Sequence, residues 1–128
     1  MAEAVFPQGV SLPDRPFSPA VRDGRLLFVA GHVGVDADWR TVEGGFEAQA
    51  RQTLRNISET LAAGGAGWEH VREMSIYLTN TADFPVFDRV RREFLPGPPY
   101  PATTAVEVSR LLDPAWLIEV SATAMLPE

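Results

Sequence analysis

The strongest constraint on the fold is an apolar stripe in the first half of the chain. Between Phe46 and Leu61, apolar residues follow one another at steps of four, four, three and four. This spacing places their side chains on one face of an α-helix. We therefore predict a helix over residues 46–63, ended by the glycines that follow. Because a helix cannot bury such a stripe alone, a second layer of secondary structure must cover it.

Strand-like runs lie on both sides of this helix. Before it, Asp23-Gly24 separates two of them and indicates a hairpin. After the helix, apolar and polar residues alternate in three further runs. The predicted strands span residues 17–22, 25–31, 71–79, 103–109 and 117–125, with room for a short strand near Val42.

A second helix is predicted from about Asp83 to Phe94. Asp83 has the side chain of an N-cap, Pro85 fits the first turn, and a proline-rich stretch follows Phe94. Residues 1–16 carry no periodic signal and are expected to form an extended arm. The order β-β-α-β-α-β-β predicts a single α+β domain over residues 1–128, in which a mostly antiparallel sheet carries both helices on one face.

Composition narrows the classes of function. The formal net charge of −6 gives no attraction to phosphate backbones or anionic lipid, so neither nucleic acid nor a membrane is an expected partner. The chain has no cysteine, which excludes thiolate nucleophiles and cysteine-ligated metals. Its histidines do not have the spacing of metal ligands. The N-terminus has no leader pattern and no apolar run reaches the ~18 residues of a membrane span, which predicts a cytoplasmic protein.

The predicted sheet has a second face that two helices cannot cover. The run from Leu26 to Ala30 is apolar at consecutive positions, so both of its faces should be buried. A monomer would leave one of them exposed to water. We therefore expect an oligomer in which the sheets of neighbouring chains face each other.

Polar side chains on the last two strands are predicted to face that interface. By alternation, the residues that share a side are Thr103, Ala105, Glu107 and Ser109 on one strand, and Glu119, Ser121 and Thr123 on the next. Burial would raise the pKa of a carboxyl group there, so Glu107 and Glu119 are candidates for proton transfer. The alternative is a structural ion pair or hydrogen bond with Arg22, Arg110 or another chain.

His32 follows the buried strand in the sequence AGHVGV. The glycines around it would let a ligand or another backbone come close. Its imidazole can act as a base or as a donor that orients a ligand. The alternative is a histidine with a purely structural role.

Four stretches of the sequence together resemble the Rid family, also called RidA or YjgF. They read FSPAV…GRLLFVAGHVGVD, QARQTLRNI, YLTNTADFPVFDRV and PATTAVEVSRL…IEVSA, in order from about residue 15 to 125. The resemblance implies a chorismate-mutase-like α/β fold with a six-stranded sheet, and a homotrimer built around a central barrel with clefts between its subunits. It also implies hydrolysis of reactive enamines and imines to 2-keto acids and ammonia, without a metal or an organic cofactor.

The resemblance also implies roles for individual residues. Glu119 matches the glutamate that orients water, and Gly31 matches a glycine whose backbone contacts the ligand. His32 stands in place of a glutamine and could assist catalysis. Phe17 replaces a tyrosine, so a hydroxyl donor of the site is lost.

The entrance of the predicted strand at residue 103 departs from the family pattern. Deaminating members carry an arginine there that binds the substrate carboxylate through two hydrogen bonds, and this chain has Thr103. Losing such a pair should weaken the binding of an anion by roughly 2–5 kcal/mol. We therefore predict a small-molecule site with Thr103, Thr104 and Ala105 that acts on a neutral or bulkier imine or enamine, and slow deamination of 2-aminoacrylate. The alternative is a non-catalytic protein that binds a metabolite or assists a partner enzyme.

Overall fold

The computed structural model describes residues 1–7 and 15–128. In this part of the chain a six-stranded sheet packs with two α-helices, which confirms the predicted α+β fold. The strands are β1 (Ala2–Val5), β2 (Ala20–Asp23), β3 (Leu26–Val33), β4 (Val71–Leu78), β5 (Ala102–Glu107) and β6 (Ile118–Met125). The helices are α1 (Gly45–Ala63) and α2 (Phe84–Arg91), and short 3-10 turns at Trp68–His70 and Thr81–Asp83 precede β4 and α2.

The strands follow the order β1-β2-β3-β6-β4-β5 across the sheet. All neighbours are antiparallel except β4 and β5, which run parallel because α2 forms the crossover between them. The last strand of the chain, β6, lies between β3 and β4. This arrangement puts the end of β3 and the start of β6 side by side, whereas β5 lies at the far edge of the sheet.

The sixth strand differs from the prediction. It comes from the N-terminal arm, where Ala2–Val5 pairs with β2, while the region near Val42 has an isolated bridge between Val35 and Thr41. Of the predicted arm, residues 8–14 lie outside the described part. Helix α2 starts as predicted, with Asp83 at the N-cap position and Pro85 in the first turn, but it ends at Arg91 and the Asp83 side chain makes no capping hydrogen bond. In the 3-10 turn before it, the side chain of Asn80 accepts from the backbone N–H of Ala82.

Helix α1 packs its apolar stripe on the middle of the sheet. Leu54, Ile57 and Leu61 are fully buried and form one cluster with Leu27 of β3 and Val120 of β6. Burying each side chain of this kind stabilises the fold by about 1.5–3 kcal/mol. Helix α2 adds two more buried side chains to the same cluster, so one continuous core lies between the helices and the sheet.

The opposite face of the sheet is open in the single chain. Phe28 of β3 is 46% exposed and Val106 of β5 is 42% exposed, although the sequence predicted burial for Phe28 on this side. Every residue of β5 is exposed as well. A chain with this surface is consistent with the predicted oligomer, in which neighbouring chains would cover the open face.

Just after β3, the chain passes directly against the backbone of α1 at Gly34. A Cβ atom at this position would lie 2.6 Å from the Cα of Gln49 and 2.8 Å from its carbonyl oxygen. Since this backbone cannot rotate away, we expect Gly34→Ala to lower the free energy of unfolding by about 1–3 kcal/mol, the usual cost of overpacking. Denaturation in urea measures the change.

The matched control is Gly31→Ala, three residues earlier on the same segment. A Cβ there would meet the carboxyl group of Glu119, a side-chain end that can turn aside. We expect a clearly smaller loss of stability than at Gly34, and equal losses in the two variants would contradict this reading of the packing.

Candidate functional site

A cavity of about 200 Å³ lies beside the end of β3, beyond the point where β2 begins to pair with it. Five parts of the chain line it. They are Pro7 of the N-terminal segment, the segment before β2 with Phe17 and Pro19, the end of β3 from Ala30 to Val33, the loop from Val35 to Trp39, and one side of α1 with Gln52, Asn56, Glu59 and Thr60. Phe17 therefore belongs to the cavity wall and not to a strand, since β2 begins only at Ala20. The cavity combines apolar rings with polar side chains, as small-molecule sites do.

A β-bulge at the end of β3 decides which side chains reach the cavity. Pairing with β6 is regular as far as Val29 and resumes at His32, so Ala30 and Gly31 together oppose one residue of β6. The bulge reverses the alternation of the strand. His32 consequently turns toward α1, whereas Gly31 comes to lie on the same side as Glu119.

His32 is held at both ring nitrogens. Its Nδ1 lies 2.7 Å from the carbonyl oxygen of Ala30, and its Nε2 lies 3.0 Å from the hydroxyl of Thr60. A carbonyl only accepts, so Nδ1 carries the hydrogen. The Thr60 hydroxyl is also 3.0 Å from the carbonyl oxygen of Asn56, and its single hydrogen can serve only one of these two acceptors. These contacts match the structural interpretation of His32 better than that of a free base.

Burial lowers the pKa of His32, and the hydrogen bond to Ala30 opposes this shift only in part. The unfolded chain therefore binds a proton at this residue more readily than the folded protein does. It follows that the folded protein loses stability as the pH falls below about 6.5, the ordinary value for histidine.

We expect His32→Gln to reduce this sensitivity to acid. The difference in unfolding free energy between pH 7.5 and pH 5.5, measured by urea denaturation, should be smaller in the variant than in the wild type, because one protonation linked to unfolding is gone. Gln52→Ala, which changes a non-titrating residue of the same cavity wall, should keep the wild-type difference. An unchanged difference in the His32 variant would contradict the expectation.

Glu119 lies on β6, between the neighbouring strands β3 and β4, and its carboxyl group is next to Gly31. It pairs with Val33 on one side and with Tyr77 on the other, and a Cβ at Gly31 would come within 2.8 Å of its Cδ. The side chain is half-buried, and this burial raises the pKa of its carboxyl group. A carboxyl group of this kind can exchange a proton with a substrate more readily than one of ordinary pKa.

The structural alternative for Glu119 involved an ion pair with Arg22 or Arg110. In the described part of the chain, no salt bridge reaches Glu119. Arg22 donates to the carbonyl oxygens of Gly24 and Gly64 instead, and Arg110 donates to carbonyls of the loop that follows it. Glu119 is therefore left without either of these partners.

The predicted placement of the β5 side chains was wrong. The parallel register aligns Thr103 with Met74 and Glu107 with Leu78, so these two residues and Ala105 between them turn to the side of the helices. Contacts agree, since the backbone N–H of Thr81 before α2 donates to the Glu107 carboxylate at 2.9 Å. It is the alternate residues Thr104 and Val106 that share the open face with Glu119.

A cation that the sequence analysis missed lies beside Thr103. Arg91 of α2 donates from Nη1 to the Thr103 hydroxyl at 3.0 Å. Asp88 binds the same guanidinium group through Nε at 2.8 Å and Nη2 at 2.7 Å, and the rings of Phe84 and Phe87 lie 5.8 and 5.4 Å from it. The side chain is mostly buried. The three-residue spacing between Asp88 and Arg91 is visible in the sequence, but the contact of Arg91 with β5 depends on how α2 packs.

Within one chain the predicted site residues fall into two groups. Phe17, Gly31 and His32 line the cavity, and Glu119 adjoins it behind Gly31. The remaining three, Thr103, Thr104 and Ala105, lie on β5, separated from β3 by β6 and β4. Three strand spacings of about 4.8 Å put the β5 residues roughly 14 Å from β3, and two put them roughly 10 Å from Glu119 on β6.

Comparison with known proteins agrees with the resemblance seen in the sequence. Residues 10–126 match the profile of the family described as Endoribonuclease L-PSP. The chain belongs to this family, which is also called the Rid or RutC family. A RutC family protein of Pyrococcus horikoshii is 37% identical over 125 residues, which are 97% of this chain and 98% of the relative.

Solved structures of Rid proteins have the same fold. The RutC family protein YjgH, known from Escherichia coli, superposes with a TM-score of 0.88 at 35% identity and covers 98% of this chain and 97% of its own. RidA from an Antarctic Psychrobacter also superposes with a TM-score of 0.88, at 28% identity over 97% and 99% of the two chains.

Neither helix in the described part of this Rid protein is long and apolar enough to cross a membrane.

Proposed function

We propose that this Rid protein hydrolyses the C=N bond of a small imine, or of the enamine in equilibrium with it, in a cleft between the subunits of a homotrimer. Family membership supports a Rid-type function in general. The local observation that carries the proposal is Glu119, a half-buried carboxyl group of raised pKa that faces a glycine next to a cavity. A side chain at position 31 would displace this carboxyl group from its place beside the strand.

The separation of the two groups of site residues supports a site shared between chains. Two strand spacings, roughly 10 Å, separate the β5 residues from Glu119 on β6, and Thr103 and Ala105 lie on the other face of the sheet. They therefore do not act with Glu119 in one chain, yet every residue of β5 is exposed. A second copy that places its β5 against the end of β3 would join Thr103 to the cavity and cover this edge. The exposed ring of Phe28 on the open face would be buried by the same assembly.

The chemistry requires one proton acceptor and one water molecule. Water attacks the imine carbon while the Glu119 carboxylate takes one of its protons and passes it to the nitrogen, which gives a carbinolamine. The carboxylate then takes the proton of the new hydroxyl group and delivers it to the nitrogen as the carbonyl bond forms. The bond from carbon to nitrogen breaks, and an imine and one water give a carbonyl compound and ammonia. A raised pKa suits a group that must accept and then donate a proton.

The charges around the cavity favour a substrate without a negative group. Its lining includes the carboxylates Asp36 and Glu59, and no lysine or arginine is among the described residues that form it. Arg91 lies beside Thr103, but Asp88 offsets its charge. An organic anion would therefore bind less well than in relatives with a free arginine at position 103.

The test combines an assembly measurement with an assay. Light scattering should give the mass of three copies of the 14.0 kDa chain. Imines formed in situ by an amine oxidase or an amino acid oxidase should then release their carbonyl product faster with the protein than without it. A monomer would contradict the shared cleft. A trimer that binds such compounds without accelerating hydrolysis would favour the alternative of a metabolite-binding protein.

A further inference from the structure

Trp39 has a backbone conformation that tryptophan rarely adopts. Its φ angle is +62°, and it is the one non-glycine residue in the described part of the chain with a positive φ. The left-handed region is sterically unfavourable for any residue with a Cβ, and most of all for a bulky one. Such strained positions persist where the surroundings fix them, and they cluster at ligand sites.

The turn that imposes this conformation does not use the indole ring. The Asp36 carboxylate accepts the backbone N–H groups of Asp38 and Arg40 at 2.9 and 3.1 Å. The backbone N–H of Trp39 donates to the carbonyl oxygen of Asp36 at 3.0 Å, and a bridge between Val35 and Thr41 closes the loop. Glycine would satisfy the same bonds with less strain. The ring itself therefore needs another explanation.

The ring of Trp39 forms part of the cavity wall together with Phe17. These side chains remain 38% and 41% exposed in the chain. The other two tryptophans are engaged within the fold, since Trp68 donates to the Ser58 hydroxyl at 2.7 Å and Trp116 to that of Thr41 at 3.2 Å. Trp39 is thus the tryptophan whose ring is placed to contact a ligand.

The charged residues of the cavity wall limit what such a ligand can carry. Asp36 and Glu59 contribute carboxylates, and the described lining residues include neither lysine nor arginine. Aromatic faces attract cations and stack on flat apolar groups. The wall therefore suits a ring with a neutral or positively charged nitrogen and disfavours an anion.

We infer that Trp39 and Phe17 select a substrate with a flat aromatic group attached to an amine-derived nitrogen, such as the imine formed by oxidation of an arylmethylamine. This inference rests on the proposed function, because it names the substrate class of the same cavity. Hydrolysis of that imine would yield an aromatic aldehyde and ammonia.

The test uses benzylamine as the probe, with n-butylamine and benzoate as controls for the ring and for the charge. Calorimetric titration of the wild-type protein should show benzylamine binding more tightly than either control. Trp39→Phe and Trp39→Leu form a matched pair, since both place a smaller apolar side chain at the strained position and only the first keeps a flat ring. We expect Trp39→Leu to weaken benzylamine binding by about tenfold, with a clearly smaller loss in Trp39→Phe.

Each result separates this inference from the proposed function. Equal losses in the two variants, tighter binding of benzoate than of benzylamine, or dissociation of the assembly in both variants would overturn the selection by Trp39. Binding that depends on the ring at position 39 without hydrolysis of any imine would leave the selection standing and refute the catalytic proposal. Turnover of the benzylamine-derived imine at equal rates in wild type and Trp39→Leu would refute the selection by Trp39 and leave the catalytic proposal standing.

Discussion

Glu119→Gln is expected to slow imine hydrolysis by roughly 10²–10⁴-fold, the usual contribution of a positioned acid or base. Glutamine keeps the shape of the side chain but can neither take a proton from water nor return it. The side-chain amide of the variant fills the same space beside Gly31 as the carboxyl group does. The value of kcat, followed through release of the carbonyl product, should therefore fall while substrate binding changes little.

The same variant should be at least as stable as the wild type at neutral pH. Burial raises the pKa of Glu119, so the folded protein binds a proton there more readily than the unfolded chain does. Stability linked to this group is thus lost as the pH rises from the ordinary value of 4.5 through the raised one. Glutamine has no such loss, and its advantage in urea denaturation should shrink as the pH is lowered toward 4.5.

The pH profile of the wild-type rate gives a further check. The reaction needs the carboxylate form at the start, so the rate should decline as the pH falls through the raised pKa of Glu119. Glu107→Gln is the matched control, because the sequence offered both glutamates and the structure ties Glu107 to the backbone of Thr81. A wild-type rate in Glu119→Gln, or the same loss in both variants, would remove Glu119 as the proton-transferring group.

The elements that could be predicted are those whose apolar pattern extends over many residues. The stripe of α1 and the alternation in β4 and β6 each extend over eight residues or more, and the structure places them within a residue or two of the prediction. Strand β1 has only the four residues Ala2–Val5, too few to show a period. Its existence depends on pairing with β2, which a local pattern does not contain.

The site was harder to predict because it depends on register and not on period. Alternation established that Thr103 and Glu107 share one side of β5, but only the parallel pairing with β4 decides which side that is. The bulge before His32 has the same effect, since a single extra residue moves its ring from the open face to the side of α1. The strained conformation of Trp39 has no signal in the sequence, because any turn there would ordinarily call for glycine.

Thr103→Arg together with Arg91→Gln is expected to create activity on an anionic imine. A free arginine at position 103 could bind a carboxylate through two hydrogen bonds, and such buried pairs are worth roughly 2–5 kcal/mol. Even the lower value corresponds to about a 30-fold increase in kcat/KM for 2-iminopropionate, since about 1.4 kcal/mol equals a factor of ten. The neutral imine derived from benzylamine should gain nothing.

The single variant Thr103→Arg should gain much less, and this difference depends on a contact seen only in the structure. Arg91 donates to the hydroxyl of Thr103 at 3.0 Å, so a second guanidinium group at position 103 would lie against a like charge and would share Asp88 with it. Like charges at this distance repel, and the new side chain would turn away from the cleft. Removing the charge of Arg91 takes away this repulsion, which is the difference that the comparison of single and double variants measures. A single variant as active on 2-iminopropionate as the double one would show that Arg91 does not restrict position 103.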